Sequence, residues 1–156
     1  MSRAFSTGHS PFGTDLRSAV HADADDVAQL LCELGYPCEL DDALERINVI
    51  ASNDRQVLVV ARRDGAVCGL IALDFMYYLP LGTTTCRVTA LVVTPTQQGL
   101  GIGRALLKEA ERRARTGGAS RIELTSGAQR TEAHAFYRAC GYKDSSVRFV
   151  KQLGAA

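Results

Sequence analysis

The stretch "QQGLGIGRALL", residues 97–107, places glycines at 99, 101 and 103 and then runs into helix-forming residues. Glycine tolerates positive φ and lets a backbone approach a partner that a Cβ would hold off. What approaches here decides the fold and the chemistry. The phosphate loop of a nucleoside triphosphatase needs Lys-Ser/Thr after its last glycine, but Gly103 is followed by Arg104-Ala105, so that reading fails. The dinucleotide pattern G-x-G-x-x-G could use Gly99 and Gly101, but it meets Arg104 at its third glycine. Glu123 does lie about 20 residues on, where a ribose-binding acid would stand. That pattern belongs, however, in a βαβ unit of a mostly parallel sheet.

The surrounding elements do not supply that unit. "DLRSAV" (15–20) reads as a first strand. A helix over 23–35 follows, with Val27, Leu30, Leu31 and Leu34 on one face, Asp23 as N-cap and Gly35 as stop. A second helix fits 41–51. Residues 56–78 read as two strands joined at Asp64-Gly65, a hairpin signal. "TTTCRVTALVVTP" (83–95) is a Thr- and Val-rich strand ended by Pro95. After the glycines, Ile102, Leu106, Leu107, Ala110 and Ala114 mark the inner face of a helix running to about Arg115. "SRIELTS" (120–126) is a strand, and 131–141 is a short helix with Thr131 and Gly141 as caps. "SSVRFVKQL" (145–153) alternates like a final strand. The order β-α-α-β-β-β-α-β-α-β predicts a mixed α/β sheet covered by helices.

The totals narrow the function classes. A chain of 156 residues suits one domain. "MSRAFSTGHSPFG" reads as a flexible tail over 1–13, leaving 14–156 as the domain. A formal net charge of +1 gives no case for nucleic acid. No apolar run nears the roughly 20 residues that cross a membrane, and no signal-peptide block is seen. The cysteines at 32, 38, 68, 86 and 140 lack C-x-x-C spacing. Neither a disulfide framework nor a metal site is expected, and buried, reduced thiols point to the cytoplasm.

Gln98-Gly99-Leu100-Gly101-Ile102-Gly103 is Q-x-x-G-x-G between strand "ALVV" and helix "RALLKEA". Free N–H groups at such a helix start, together with the helix dipole, favour an anion. This stretch resembles the pyrophosphate-binding motif of the GCN5-related N-acetyltransferase (GNAT) family. "LVVTP" before it resembles that family's central strand. "AHAFYRACGY" (133–142) is similar to its later motif, matching at Ala133, Tyr137, Gly141 and Tyr142.

The resemblance implies a GNAT-like domain whose mixed, mostly antiparallel sheet is splayed at its centre. It implies acetyl-CoA as co-substrate, no metal, and transfer of the acetyl group to a primary amine by direct attack in a ternary complex. The cofactor would be held by Leu91 and Val93 along the strand and by Gln98, Gly99, Leu100, Gly101, Gly103 and Arg104. Tyr137 would protonate the departing thiolate. The acceptor side would be built by the loop between the first two helices and by the 74–82 hairpin end. A small-molecule or peptide amine is the expected partner, with neither nucleic acid nor membrane, and a homodimer stays open.

Plainer readings stand beside these. Leu91 and Val93 suit a core, and Arg104, Lys108 and Arg112 could be a solvated helix face. Tyr137 could be a packed aromatic beside Phe136 and Cys140. His134 reads as structural, Cys140 as core, and Arg130 as either a cofactor contact or surface. Many relatives carry a strand Glu as base, and Thr89 stands at that position here. Asp74, Tyr77, Tyr78 and Glu33 all remain open as substitutes. A non-catalytic acyl-CoA-binding regulatory module is the alternative.

Overall fold

The computed structural model describes residues 13–127 and 129–154, so nearly all of the expected tail lies outside the described residues. The elements are β1 (Asp15–Ser18), α1 (Ala24–Leu34), α2 (Leu40–Ala51), β2 (Gln56–Arg63), β3 (Ala66–Tyr78), β4 (Thr83–Val93), α3 (Ile102–Thr116), β5 (Ala119–Leu124) and α4 (Thr131–Ala139). Short 3-10 turns fall at His21–Asp23 and Pro95–Gln97. The chain divides into two compact units, one ending at Leu124 and one beginning at Thr125.

The first unit is built on a five-stranded sheet in the order β1-β2-β3-β4-β5. Its first four strands pair antiparallel, and β5 pairs parallel to β4 across α3. This is the expected mixed, mostly antiparallel α/β sheet. The β2–β3 turn has Asp64 at φ 52° and Gly65 at φ 80°, the paired left-handed geometry that Asp-Gly accommodates.

Strand alternation sorts the apolar residues to two helical layers. Leu58, Val60, Leu70 and Ala72 pack with Val27, Leu30, Ala43 and Ile47 of α1 and α2. The intervening Val59, Ala61, Ile71 and Leu73 are fully buried. Among them sits Gly69, where a Cβ would lie 3.2 Å from Leu106 and 3.4 Å from Ile102, so α3 covers this second face. At the other end of α3, a Cβ on Gly117 would come within 2.8 Å of the Phe75 ring.

Asp23 does not cap α1 through its side chain as expected. Its carboxylate instead accepts from the Val20 N–H at 2.8 Å and from both terminal nitrogens of Arg17 at 2.7 and 2.8 Å. Burial pushes the Asp23 pKa up, but the Arg17 hydrogen bonds, the Val20 amide and the Arg17 charge outweigh it and leave the group below its ordinary value. Of the five thiols, Cys38, Cys68 and Cys86 are buried, Cys140 is half-buried, and Cys32 is exposed, contrary to expectation. Cys32 lies on the outer side of α1, where its Sγ still donates to the Cys38 carbonyl.

In the second unit α4 begins at Thr131 itself, with Arg130 in the cap position and no side-chain cap. Its end is a Schellman motif. Gly141, at φ 94°, donates to the Arg138 carbonyl, and Tyr142 donates to the Tyr137 carbonyl, both at 3.0 Å. The expected final strand is not formed: 143–153 has no strand assignment. Alternation gives a segment two faces, but a strand also needs a ladder partner, and none pairs with it among the described residues. Val147, Phe149 and Leu153 are 77%, 93% and 93% exposed.

Candidate active site

The glycine loop joins β4 to α3 and is shaped by its own backbone requirements. Gly99 and Gly101 both sit at φ 82°, a left-handed conformation that side chains strain. A Cβ at either would meet nothing within 4 Å, so both face open space. Gly103 lies in the first turn of α3. The first helical hydrogen bond runs from Ala105 N–H to the Gly101 carbonyl at 3.0 Å. The amides of Ile102, Gly103 and Arg104 therefore lack intrahelical acceptors, and no side chain caps this end. Such a start presents positive dipole charge and free donors to an anion.

The basic stripe divides along its length. Arg112 is committed to Glu109, which Arg113 also contacts at 2.9 Å. Arg104 and Lys108 are exposed and have no ion-pair partner among the described residues. Leu100 is exposed on the loop. The Gln98 side chain folds back and donates from Nε2 to the Val93 carbonyl at 3.1 Å, tying the loop to the strand.

β4 supplies the second feature. Its ladder with β5 ends at Val88–Leu124, although β4 continues to Val93. The Thr94 N–H donates to the Cys68 carbonyl of β3 at 2.8 Å. Backbone groups alternate along a strand, so those of Val93 and Leu91 point to the opposite edge, where β5 has already departed. Beyond Val88 no strand pairs with this edge among the described residues, which leaves donors and acceptors along it, partly used by Gln98. The pairing with β3 slips from Leu73–Val88 to Ala72–Ala90, leaving Thr89 as an extra residue. A bulge of this kind turns a strand and ends its pairing. Nothing in "RVTALVV" marks Thr89, the position at which a strand carboxylate is expected, as the bulged residue.

An uncapped helix start, two left-handed glycines open to solvent and an adjoining free strand edge together fit a ligand with a phosphate group and an amide-bearing arm. Comparison with known proteins gives the family. The family model described as "Acetyltransferase (GNAT) family" matches residues 24–142. The chain belongs to the GNAT family. Aminoalkylphosphonate N-acetyltransferase of Salmonella typhimurium is 38% identical over 143 residues, covering 89% of this chain and 91% of that one. Aminoglycoside N(6')-acetyltransferase type 1 of Stenotrophomonas maltophilia is 32% identical over 134 residues, covering 83% and 86%. Among solved structures, a transcriptional regulator from Bacillus halodurans C-125 superimposes with a TM-score of 0.83 at 23% identity, covering 90% of this chain and 99% of that one. That likeness shows the fold alone. The family and its sequence relatives make this GNAT protein an acetyl-CoA-dependent N-acetyltransferase.

The GNAT motif residues of the second unit lie on and just after α4. Tyr137 is half-buried, its ring centroid 5.5 Å from Phe136 and 6.4 Å from Tyr142. Burial raises the Tyr137 phenol pKa, Arg130 opposes the rise and Cys140 adds to it, so the hydroxyl stays protonated through neutral pH. The Gly-Tyr that ends the motif is the Schellman pair described above. His134 is engaged through Nε2 at 2.9 Å from the Gly127 carbonyl. Burial also pushes the Cys86 thiol up to about 11, which leaves it a poor nucleophile.

Proposed function

We propose that residues 14–156 act as one catalytic domain that acetylates a small primary amine by direct attack in a ternary complex. The observation that carries this is the free edge of β4 beyond Val88, continuous with the uncapped start of α3. On this reading the pyrophosphate of acetyl-CoA lies over Gly99, Gly101 and Gly103, with Gln98 and Leu100 shaping the loop and Arg104 at its rim. The pantetheine arm lies along the backbone of Leu91 and Val93. An N–H on that edge then stabilises the developing oxyanion. Binding both partners supplies proximity. The neutral amine nitrogen bonds to the thioester carbon, the C–S bond breaks, the sulfur takes a proton from the Tyr137 phenol, and the proton shed by the new amide nitrogen passes through water to restore that phenol. Tyr137 lies in the second unit, and its role rests on the motif match and on its protonated phenol.

A small acceptor is favoured over a peptide because both curated relatives above act, by name, on small amines. A panel of kanamycin, 1-aminoethylphosphonate, putrescine and a lysine peptide, read by release of free CoA thiol, tests this. Turnover confined to the peptide would overturn the small-acceptor reading. Acetyl-CoA binding without turnover of any amine would favour the regulatory module instead.

A further inference from the structure

A cationic acceptor calls for an acidic side chain that is not already paired. Several acids of the first unit are already used. Asp42 accepts from the Glu39 N–H at 3.0 Å, closing the start of α2. Glu33 accepts from Thr94 Oγ1 at 3.1 Å. Glu123, beside the splay on β5, is held by Arg87 through Nε and Nη2 at 2.9 and 2.7 Å and by Arg121 at 3.2 Å.

Asp74 differs. It lies in β3, two residues from Ala72, where the bulge falls, and alternation puts its side chain on the Ala72 face. Directly opposite stands Arg87, the natural partner, but the Arg87 guanidinium is turned to Glu123. On its other side Asp74 faces the neutral Gln56. Asp74 is half-buried and makes no side-chain hydrogen bond or ion pair among the described residues. Asp74 is therefore a carboxylate left open to a cation, beside the point where the β4–β5 ladder ends. Ile71, opposite Leu91, is three residues away, about 10 Å along the strand, a span within reach of a small amine.

We propose that Asp74 is the carboxylate that binds a second, non-reacting ammonium group of a polyamine acceptor. This rests on the acetyl-transfer reading above. Asp74 is a specificity-determining residue here; the reacting ammonium, at the other end of the acceptor, loses its proton to water before attack.

The test is steady-state kinetics of Asp74→Asn with whichever of kanamycin and putrescine is the better acceptor, acetyl-CoA being varied separately. The amine KM should rise roughly 10- to 100-fold, as expected for losing a charge-assisted contact. The acetyl-CoA KM and the melting shift caused by CoA should stay within twofold. Asp74→Glu should recover part of the loss, and Asp41→Asn, an exposed acid of α2, should change neither KM. An amine KM within twofold of wild type in Asp74→Asn overturns the assignment of Asp74 alone. So does a variant that melts early or loses CoA binding while Asp74→Glu binds the amine no better. A wild-type protein that turns over none of the amines overturns the acceptor reading together with this one.

Discussion

The segment Leu91–Arg104 and the segment Thr125–Leu153 carry the two sequence motifs of this family, and they behaved differently on passing from sequence to structure. In the first, each residue type answers a local backbone need. Gly99 and Gly101 take a left-handed φ, Pro95 closes the strand, and the apolar spacing from Ile102 onward fixes the inner face of α3. In the second, the same local logic holds as far as Tyr142 and then stops. The Schellman end of α4 is a local device, whereas a strand over 145–153 depends on a distant partner. Local chemistry can be read from a chain, but pairing cannot.

The strongest way to test the second segment is through Tyr137. Tyr137→Phe keeps the ring and its contacts with Phe136 and Tyr142, so the protein should fold and bind acetyl-CoA normally. The loss should appear in kcat. General acid help is worth ~10² to 10⁴ in rate. The raised phenol pKa makes proton transfer to a thiolate, whose parent thiol lies near 8.5, uphill, so about 10² to 10³ is expected. A variant within a few-fold of wild type, with chemistry rate-limiting, would remove Tyr137 from the reaction.

For the first segment, acetyl-CoA at ~100 times its Kd should stabilise the wild type by about 2.7 kcal/mol. Gly101→Val should abolish that shift, because φ 82° strains a β-branched residue and its side chain would project into the open space over the loop. Gly101→Ala should lose part of it. A shift produced by NAD and not by CoA would defeat the cofactor reading itself.

This contrast also locates what was legible in advance. The order of elements as far as α4, the buried faces of α1 and α3, the Asp64-Gly65 hairpin and the glycine loop follow from periodicity and turn chemistry. The bulge at Thr89 does not, since one extra residue in β4 leaves a Val- and Thr-rich stretch looking continuous. Nor do the side-chain pairings of Arg87 with Glu123 and Arg17 with Asp23, which need residues brought together by the fold. Asp before an apolar run usually caps a helix, which is what points to Asp23 as a cap; the nearby Arg17 on β1 holds its carboxylate instead.

That capture sets a pH dependence. The folded pKa of Asp23 lies below its unfolded value, so its contribution is fully present above the unfolded pKa, near 3.9, and fades as pH falls through the folded pKa. Asp23→Asn should cost about 1–3 kcal/mol at pH 7, because Arg17 loses the charge and one of the two oxygens it pairs with, and the side chain at position 23 is only 6% exposed. Urea melts at pH 7 and pH 3 should show the gap between variant and wild type narrowing at the acid end. An equal gap at both would mean that the carboxylate charge is not what holds the clamp.

The smallest expected effect bears most directly on the final segment. Phe149 is 93% exposed and Leu153 equally so. Burying a Phe side chain is worth about 1.5–3 kcal/mol relative to leaving it in water, and an exposed one contributes almost none of that. Phe149→Ser should therefore change the stability of a dilute, monomeric sample by less than about 0.5 kcal/mol, the usual range for surface changes. The same holds for Leu153→Ser. Chemical melts at two protein concentrations give the answer. A loss near 2 kcal/mol that is independent of concentration would mean that the alternation in "SSVRFVKQL" does find a ladder within its own chain, so that the strand read from the sequence forms after all. A loss that grows with protein concentration would assign that ladder to a second copy, because only an associated state gains stability by mass action.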